Sequence, residues 1–241
     1  MARTFARGSS QYLSVASTPV SDVPFSIACW FWTSEGDNSK ELASVGSSDT
    51  ESTTILRLSS SETVRSETIG GGSDAAAASS SSFTLSTWSH ACGVWAASDS
   101  RAAYVNGGSK GTNSTSINLA GIDSLSIGTY TYNGVHGNYM DGHIAEVGIW
   151  NVALSDDEVA MLASGFAPPL VHPESLVAYW PLIRDDDDDR VGGYDMSATN
   201  SPTVSAHPAG YVFYPAPPMF YNVTAAGGVT VPVLYYHYRH H

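Results

Sequence analysis

Residues 142–165, GHIAEVGIWNVALSDDEVAMLASG, constrain the fold more than any other part of the chain. Ile144, Val147 and Ile149 against Glu146 and Gly148 read as a strand whose period breaks near Ala145 and which closes at Trp150. Residues 151–154 turn the chain. Ser155 stands three residues before Glu158, with Asp156 and Asp157 between them. That is a capping box with its acidic residues at the positive end of a helix dipole. Val159 and Leu162 supply the apolar stripe of a short helix, and Gly165 followed by Pro168 and Pro169 stops it. The unit is a core strand locked by a small capped helix.

The rest of the chain reads as short strands. Phe25, Ile27, Cys29 and Phe31 alternate with Ser26, Ala28, Trp30 and Trp32. One face of that strand is core, and the face with two tryptophans is either covered or binds something. Trp88, His90, Cys92 and Val94 share one side of a second strand, with Ser89, Ala91, Gly93 and Trp95 on the other. Residues 102–105 return as a hairpin arm, and Asn106, Gly107 and Gly108 form a turn. Residues 42–45 and 54–58 are short strands, and 117–119 with 125–127 continue the meander. The low-complexity stretch 59–82 reads as weak edge strands joined by an exposed glycine turn. One β-sandwich with an appendage fits a chain of 241 residues.

Charge narrows the partners. The formal net charge is −13, and lysine occurs only at positions 40 and 110. A field of that sign repels nucleic acid phosphates and anionic membranes. No apolar run reaches membrane-spanning length. The opening MARTFARGSSQYLSV has no apolar signal-peptide core and already reads as a strand.

Residues 142–159 resemble the end of a laminin-G-like, concanavalin A-like jelly-roll domain, the pentraxin branch included. Phe25–Trp32 (FSIACWFW) resembles its early core strand, 88–108 its central hairpin and 124–128 the strand before its last loop, in the same order. The resemblance covers about residues 1–165. Residues 176–182 (LVAYWPL), an acidic loop and 191–197 (VGGYDMS) resemble a terminal strand pair of bacterial and phage relatives. Together these imply an all-β, antiparallel two-sheet jelly-roll sandwich over residues 1–200, with core 1–165 and an added pair at 176–200. One short helix and an extended aromatic, proline-rich arm over 201–241 complete the expected fold.

The resemblance also implies sites. Cysteines at the places of Cys29 and Cys92 form a disulfide in pentraxins. The plain reading of the same residues is two small buried hydrophobes. Calcium is the family's usual ion, for which Asp141, helped by Asn133 and Asn138, is a candidate, and the run holding Asp185, Asp187 and Asp189 is another. That run also reads as a solvated turn. Tyr130, Tyr132 and Tyr139 are candidates to stack on a sugar ring, with Asn133 and Asn138 bonding its hydroxyls. His136 and His143 form a near pair. Laminarinase-type members carry catalytic carboxylates as E-x-D-x-x-E, a run this chain lacks, and Glu146 alone reads as a structural or surface carboxylate.

From 202 onward the arm carries Tyr211, Phe213, Tyr214, Phe220, Tyr221, Tyr235, Tyr236 and Tyr238 as candidate interface anchors. Residues 229–233 suit a strand added to an open sheet edge. The function expected first is a non-enzymatic virion decoration or surface subunit. It would form a homo-oligomer or join a larger particle of capsid or tail proteins, at a virion or extracellular particle surface. The alternative is a carbohydrate-binding lectin or adhesin, and an endoglycosidase is the remote third. No cofactor is required, and calcium is compatible.

Overall fold

A computed structural model of the protein describes residues 2–208 and the strands Met219–Thr224 and Thr230–Tyr235. The chain runs through β1 (Ala2–Phe5), β2 (Tyr12–Val15), β3 (Phe25–Trp32), β4 (Lys40–Gly46), β5 (Thr53–Leu58), β6 (Val64–Gly70) and β7 (Ser73–Ala78). It continues through β8 (Ser89–Ala97), β9 (Ser100–Val105), β10 (Gly108–Asn113), β11 (Ser124–Ile127), β12 (Tyr130–Tyr132), β13 (Val135–Gly137) and β14 (Gly142–Trp150). Helix α1 (Asp156–Ala163), β15 (Leu176–Trp180), β16 (Ser197–Thr199), β17 (Thr203–Ser205), β18 (Met219–Thr224) and β19 (Thr230–Tyr235) follow.

Two antiparallel sheets form the sandwich. The first has eight strands, in the order β10-β9-β8-β3-β14-β1-β17, with β15 also on β14; the second has seven, in the order β16-β2-β11-β4-β5-β6-β7. Phe25, Ile27, Cys29 and Phe31 of β3 meet Leu13, Val45, Leu56, Leu58, Leu125 and Ile127 of the facing sheet in the main core. Each large side chain so buried contributes roughly 1.5–3 kcal/mol of transfer free energy.

The broken period of β14 is a bulge. Pairing with β3 shifts between Ala145 and Gly148, and Glu146 adopts φ 57°. Ile144 and Val147 consequently both face the core. The same edge of β14 serves two strands, β1 against residues 142–144 and β15 against 147–150. Glu146 sits at the junction and is buried, which favours the structural over the surface reading. It accepts a hydrogen bond from Tyr179 Oη at 2.6 Å, and His207 Nε2 lies 2.7 Å from its other oxygen.

Helix α1 begins with the expected capping box. Ser155 Oγ accepts from Glu158 N, and Glu158 Oε2 accepts from Ser155 N at 2.7 Å. Val159 and Leu162 bury against Val94, Tyr104 and Trp150 on the outer face of the first sheet, and Gly165 at φ 103° ends the unit. Residues 117–119 form no strand; they cross between the sheets, with Ile117 N donating to Ser98 O. Strand β19 pairs with β18 in a separate two-stranded sheet. Phe220, Tyr221 and Tyr235 lie on these two strands. Tyr211, Phe213, Tyr214, Tyr236 and Tyr238 lie outside the described residues.

Strands β3 and β8 are neighbours, but Cys29 pairs with Ala91 and Cys92 with Ala28. An offset of one residue sends the two thiols to opposite faces of the sheet. Cys29 joins the main core and Cys92 the cluster under α1, and both are free. The disulfide implied by the family resemblance is therefore corrected. Burial raises both thiol pKa values above the ordinary range. Two thiols are expected to titrate in denaturant without reductant, and neither in the native protein over minutes. An intact-mass deficit of two hydrogens would contradict this.

Candidate functional site

Leu125 and Ile127 of β11, Val45 of β4 and Leu13 of β2 point into the core, so Ser126, Ser44 and Tyr12 point outward. The β12–β13 hairpin lies across this outer face of the second sheet. Thr131 Oγ1 is 2.8 Å from Ser126 Oγ, and Ser44 Oγ donates to Thr129 O at 3.2 Å. Gly46 allows the close approach, because a Cβ there would collide with the carbonyl of Thr131. Asn133 and Gly134 make the hairpin turn with φ 48° and 70°. Their amides donate to Thr50 O and Ser47 O, which ties the tip to the loop after β4.

The base of the hairpin carries a ring cluster. Tyr12 stacks on His136 with centroids 4.4 Å apart, and Tyr139 lies 6.0 Å from Tyr12 at a similar tilt. His136 Nδ1 is 3.0 Å from Tyr130 O, which fixes the imidazole. All three rings are half-buried, and Asn138 beside them is exposed.

Beneath lies a charged cluster drawn from three strands. Arg57 Nη1 donates to Glu67 Oε2 at 2.7 Å, and its Nε is 3.6 Å from Glu41 Oε1. Asn138 Nδ2 donates to the same Glu41 oxygen at 3.0 Å, and Glu41 N donates to Asn138 O. Glu41 is fully buried, and desolvation raises its pKa to about 7 against the pull of Arg57 and Asn138.

Tyr130, Asn138 and Tyr139 thus gather around Tyr12 and His136, whereas Tyr132 and Asn133 sit at the other end of the hairpin. Tyr12, Glu41, Arg57 and Glu67 are missed by the sequence reading. A charge inside an apolar strand pattern, as in ILRL around Arg57, is the signal that marks them. His136 and His143 are not a pair. His143 stacks on Trp32 at 4.8 Å on the first sheet, with its Nδ1 2.9 Å from Thr4 Oγ1.

The calcium candidates are spread over the hairpin: Asn138 lends its amide nitrogen to Glu41, Asn133 is at the far hairpin tip, and the backbone carbonyl of Asp141 accepts from Thr33. In the acidic run, Asp187 forms a forked pair with Arg3 at 2.8 and 2.6 Å. Asp189 accepts from the amides of Tyr179, Val191, Gly192 and Tyr194 and so organises the turn, and Asp185 is exposed. Among the described residues no three His, Cys, Asp or Glu side chains converge on a metal position.

The fold has solved counterparts. The native heptameric SAP-like pentraxin of Limulus polyphemus is 19% identical over 64% of this chain and 76% of its own, with TM-score 0.53. The CBM40 of Ruminococcus gnavus IT-sialidase, bound to alpha2,3 sialyllactose, is 16% identical over 59% and 84%, with TM-score 0.53. A candidate carbohydrate binding protein from Bacteroides ovatus ATCC 8483 is 18% identical over 86% of this chain and 60% of its own, with TM-score 0.58. At such identities the likeness is one of fold. No curated protein sequence matches. A laminin G family model matches residues 7–160, well over half of the sequence, and the chain belongs to the concanavalin A-like lectin/glucanases superfamily it describes.

Proposed function

We propose that this protein is a non-catalytic carbohydrate-binding module whose sugar face is the hairpin-covered side of the second sheet. The observation that carries this reading is the Tyr12–His136–Tyr139 ring cluster, half-exposed and rigidly backed, with an amide side chain beside it. Ring faces suit the C–H face of a pyranose, and the Asn138 edge suits its hydroxyls. The neighbour bound to sialyllactose and the Bacteroides ovatus protein support the same class.

Hydrolysis has weaker support. Glu41 and Glu67 beneath the ring cluster both turn to Arg57, and Glu41 has no exposed surface from which to reach a scissile bond. Glu146 belongs to the other sheet. A virion decoration subunit is supported less well than the carbohydrate-binding alternative, because the likenesses favour sugar binding.

A glycan array followed by calorimetry on the best ligand tests the proposal. Tyr12→Ala and Tyr139→Ala are each expected to weaken binding about tenfold, near 1.4 kcal/mol, with the fold intact by circular dichroism. Equal affinity in the parent and the double variant would move the site elsewhere. Reducing-sugar release from any bound glycan would overturn the non-catalytic reading.

A further inference from the structure

A cavity of about 430 Å³ opens where the two sheets meet the crossing segment 117–119, lined by Thr68 from one sheet and Trp95 and Arg101 from the other. Val23, Ile117 and Leu119 give it apolar walls. Three of its lining side chains share an unusual property. Trp95 Nε1, Arg101 Nε and Thr68 Oγ1 are buried and have no hydrogen-bond partner among the described residues. The residues are 1%, 2% and 2% exposed. Leaving such groups unpaired costs free energy, and native proteins seldom do so without a ligand or solvent partner.

The charge balance points the same way. The Arg101 guanidinium donates to Asn113 Oδ1 and to Ser98 O, both at 2.7 Å, and both acceptors are neutral. No carboxylate forms an ion pair with it among the described residues, and Asp99 acts on it only from farther away. Buried charges are normally paired. Arg57, by contrast, holds two carboxylates. The indole and Nε groups can only donate, and the threonine hydroxyl can donate as well. What the cavity lacks is a negatively charged acceptor. Asp22 stands on its rim with one oxygen held by Val23 N, and limits how much negative charge can lie near the mouth.

We propose that this cavity binds a small organic anion, its carboxylate seated against Arg101, Trp95 and Thr68 and its body against Val23, Ile117 and Leu119. None of these residues belongs to the ring cluster on the second sheet, so the site goes beyond the carbohydrate reading and stands or falls separately. The carboxylate can belong to a free acid or to the terminal acidic sugar of a glycan.

The test follows the Trp95 indole N–H resonance in ¹⁵N-labelled protein, assigned by its loss in Trp95→Phe. Sodium glucuronate is the probe, with glucose and sodium chloride as controls. A saturable downfield shift with glucuronate, and none with glucose or chloride, is the expected result. Thr68→Val removes a hydroxyl that has no partner among the described residues, so it is expected to leave thermal stability unchanged or raised while weakening glucuronate about tenfold. Binding of the methyl glycoside, which keeps the carboxylate and blocks C1, as tightly as glucuronate assigns the site to a terminal acidic sugar; loss of binding by the glycoside assigns it to an unglycosylated acid. No saturation with glucuronate, an equal shift with chloride (an inorganic ion only) or with glucose, or unchanged affinity in Thr68→Val would each overturn the proposal.

Discussion

Between about pH 6.5 and 4.5 the stability of the native protein is expected to stay nearly flat, and below that to fall steeply. Two buried groups set this profile. His90 lies against Trp30, its Nδ1 without a hydrogen-bond partner among the described residues, and burial lowers its pKa from 6.5 to about 3. A depressed folded pKa contributes stability that is present above 6.5 and lost as pH falls towards 3. Glu41 is the reverse case, raised by burial from 4.5 to about 7. Its contribution is present below 4.5 and lost as pH rises through 7. Where the windows overlap, unfolding takes up a proton at His90 and releases one from Glu41, and the slopes cancel. Separate variants expose each slope. Glu41→Gln is expected to make stability climb between pH 4.5 and 6.5. His90→Leu should make it decline there as pH rises, its profile departing from the parent's by about 3 kcal/mol between pH 6.5 and 4. Urea denaturation across a pH series reads both, and a His90→Leu profile parallel to the parent would refute the assignment.

Asp187→Asn is expected to destabilise the protein by about 3 kcal/mol, whereas Asp185→Asn and Asp188→Asn should change stability by less than about 0.5 kcal/mol. The side chains of Arg3 and Asp187 are 5% and 11% exposed, and Arg3 Nη1 also donates to Pro202 O. Removing the carboxylate strands a guanidinium between β1, the acidic turn and the approach to β17. Replacing both partners at once, as Arg3→Met with Asp187→Leu, is expected to recover most of the loss, because the penalty is the unpaired charge. Equal effects at all three aspartates in thermal melts would mean that the run acts as a diffuse acidic patch.

These expectations show where sequence information is local and where it is not. The capping box of α1 and the bulge near Ala145 were legible because each is written within a few consecutive residues. That β3 and β8 are neighbours was legible through the family resemblance that links the places of Cys29 and Cys92. Register was not. A one-residue offset between Cys29 and Cys92 separates a disulfide from two free thiols, and hydrophobic alternation alone does not fix it when both faces of β3 are buried. The Glu41–Arg57–Glu67 cluster escaped for the same reason, since its members meet only after three strands align. Tyr130, Asn138 and Tyr139 were visible as loop residues. Their companion Tyr12 comes from a distant strand and gave no sign of its role.

The place of β1 has a consequence for how the molecule comes into being. This strand comes first in chain order among the sandwich strands, yet its partners are residues 142–144 of β14 and 203–205 of β17. It therefore stays without a strand partner until nearly the whole sandwich has been made. Loop closure over such separations slows folding towards the millisecond-to-second range usual for Greek-key sandwiches. It also leaves the edges of β1 open to other chains during that interval. Arg3 sits on that waiting strand, and its bond to Asp187 is among the last the protein can form.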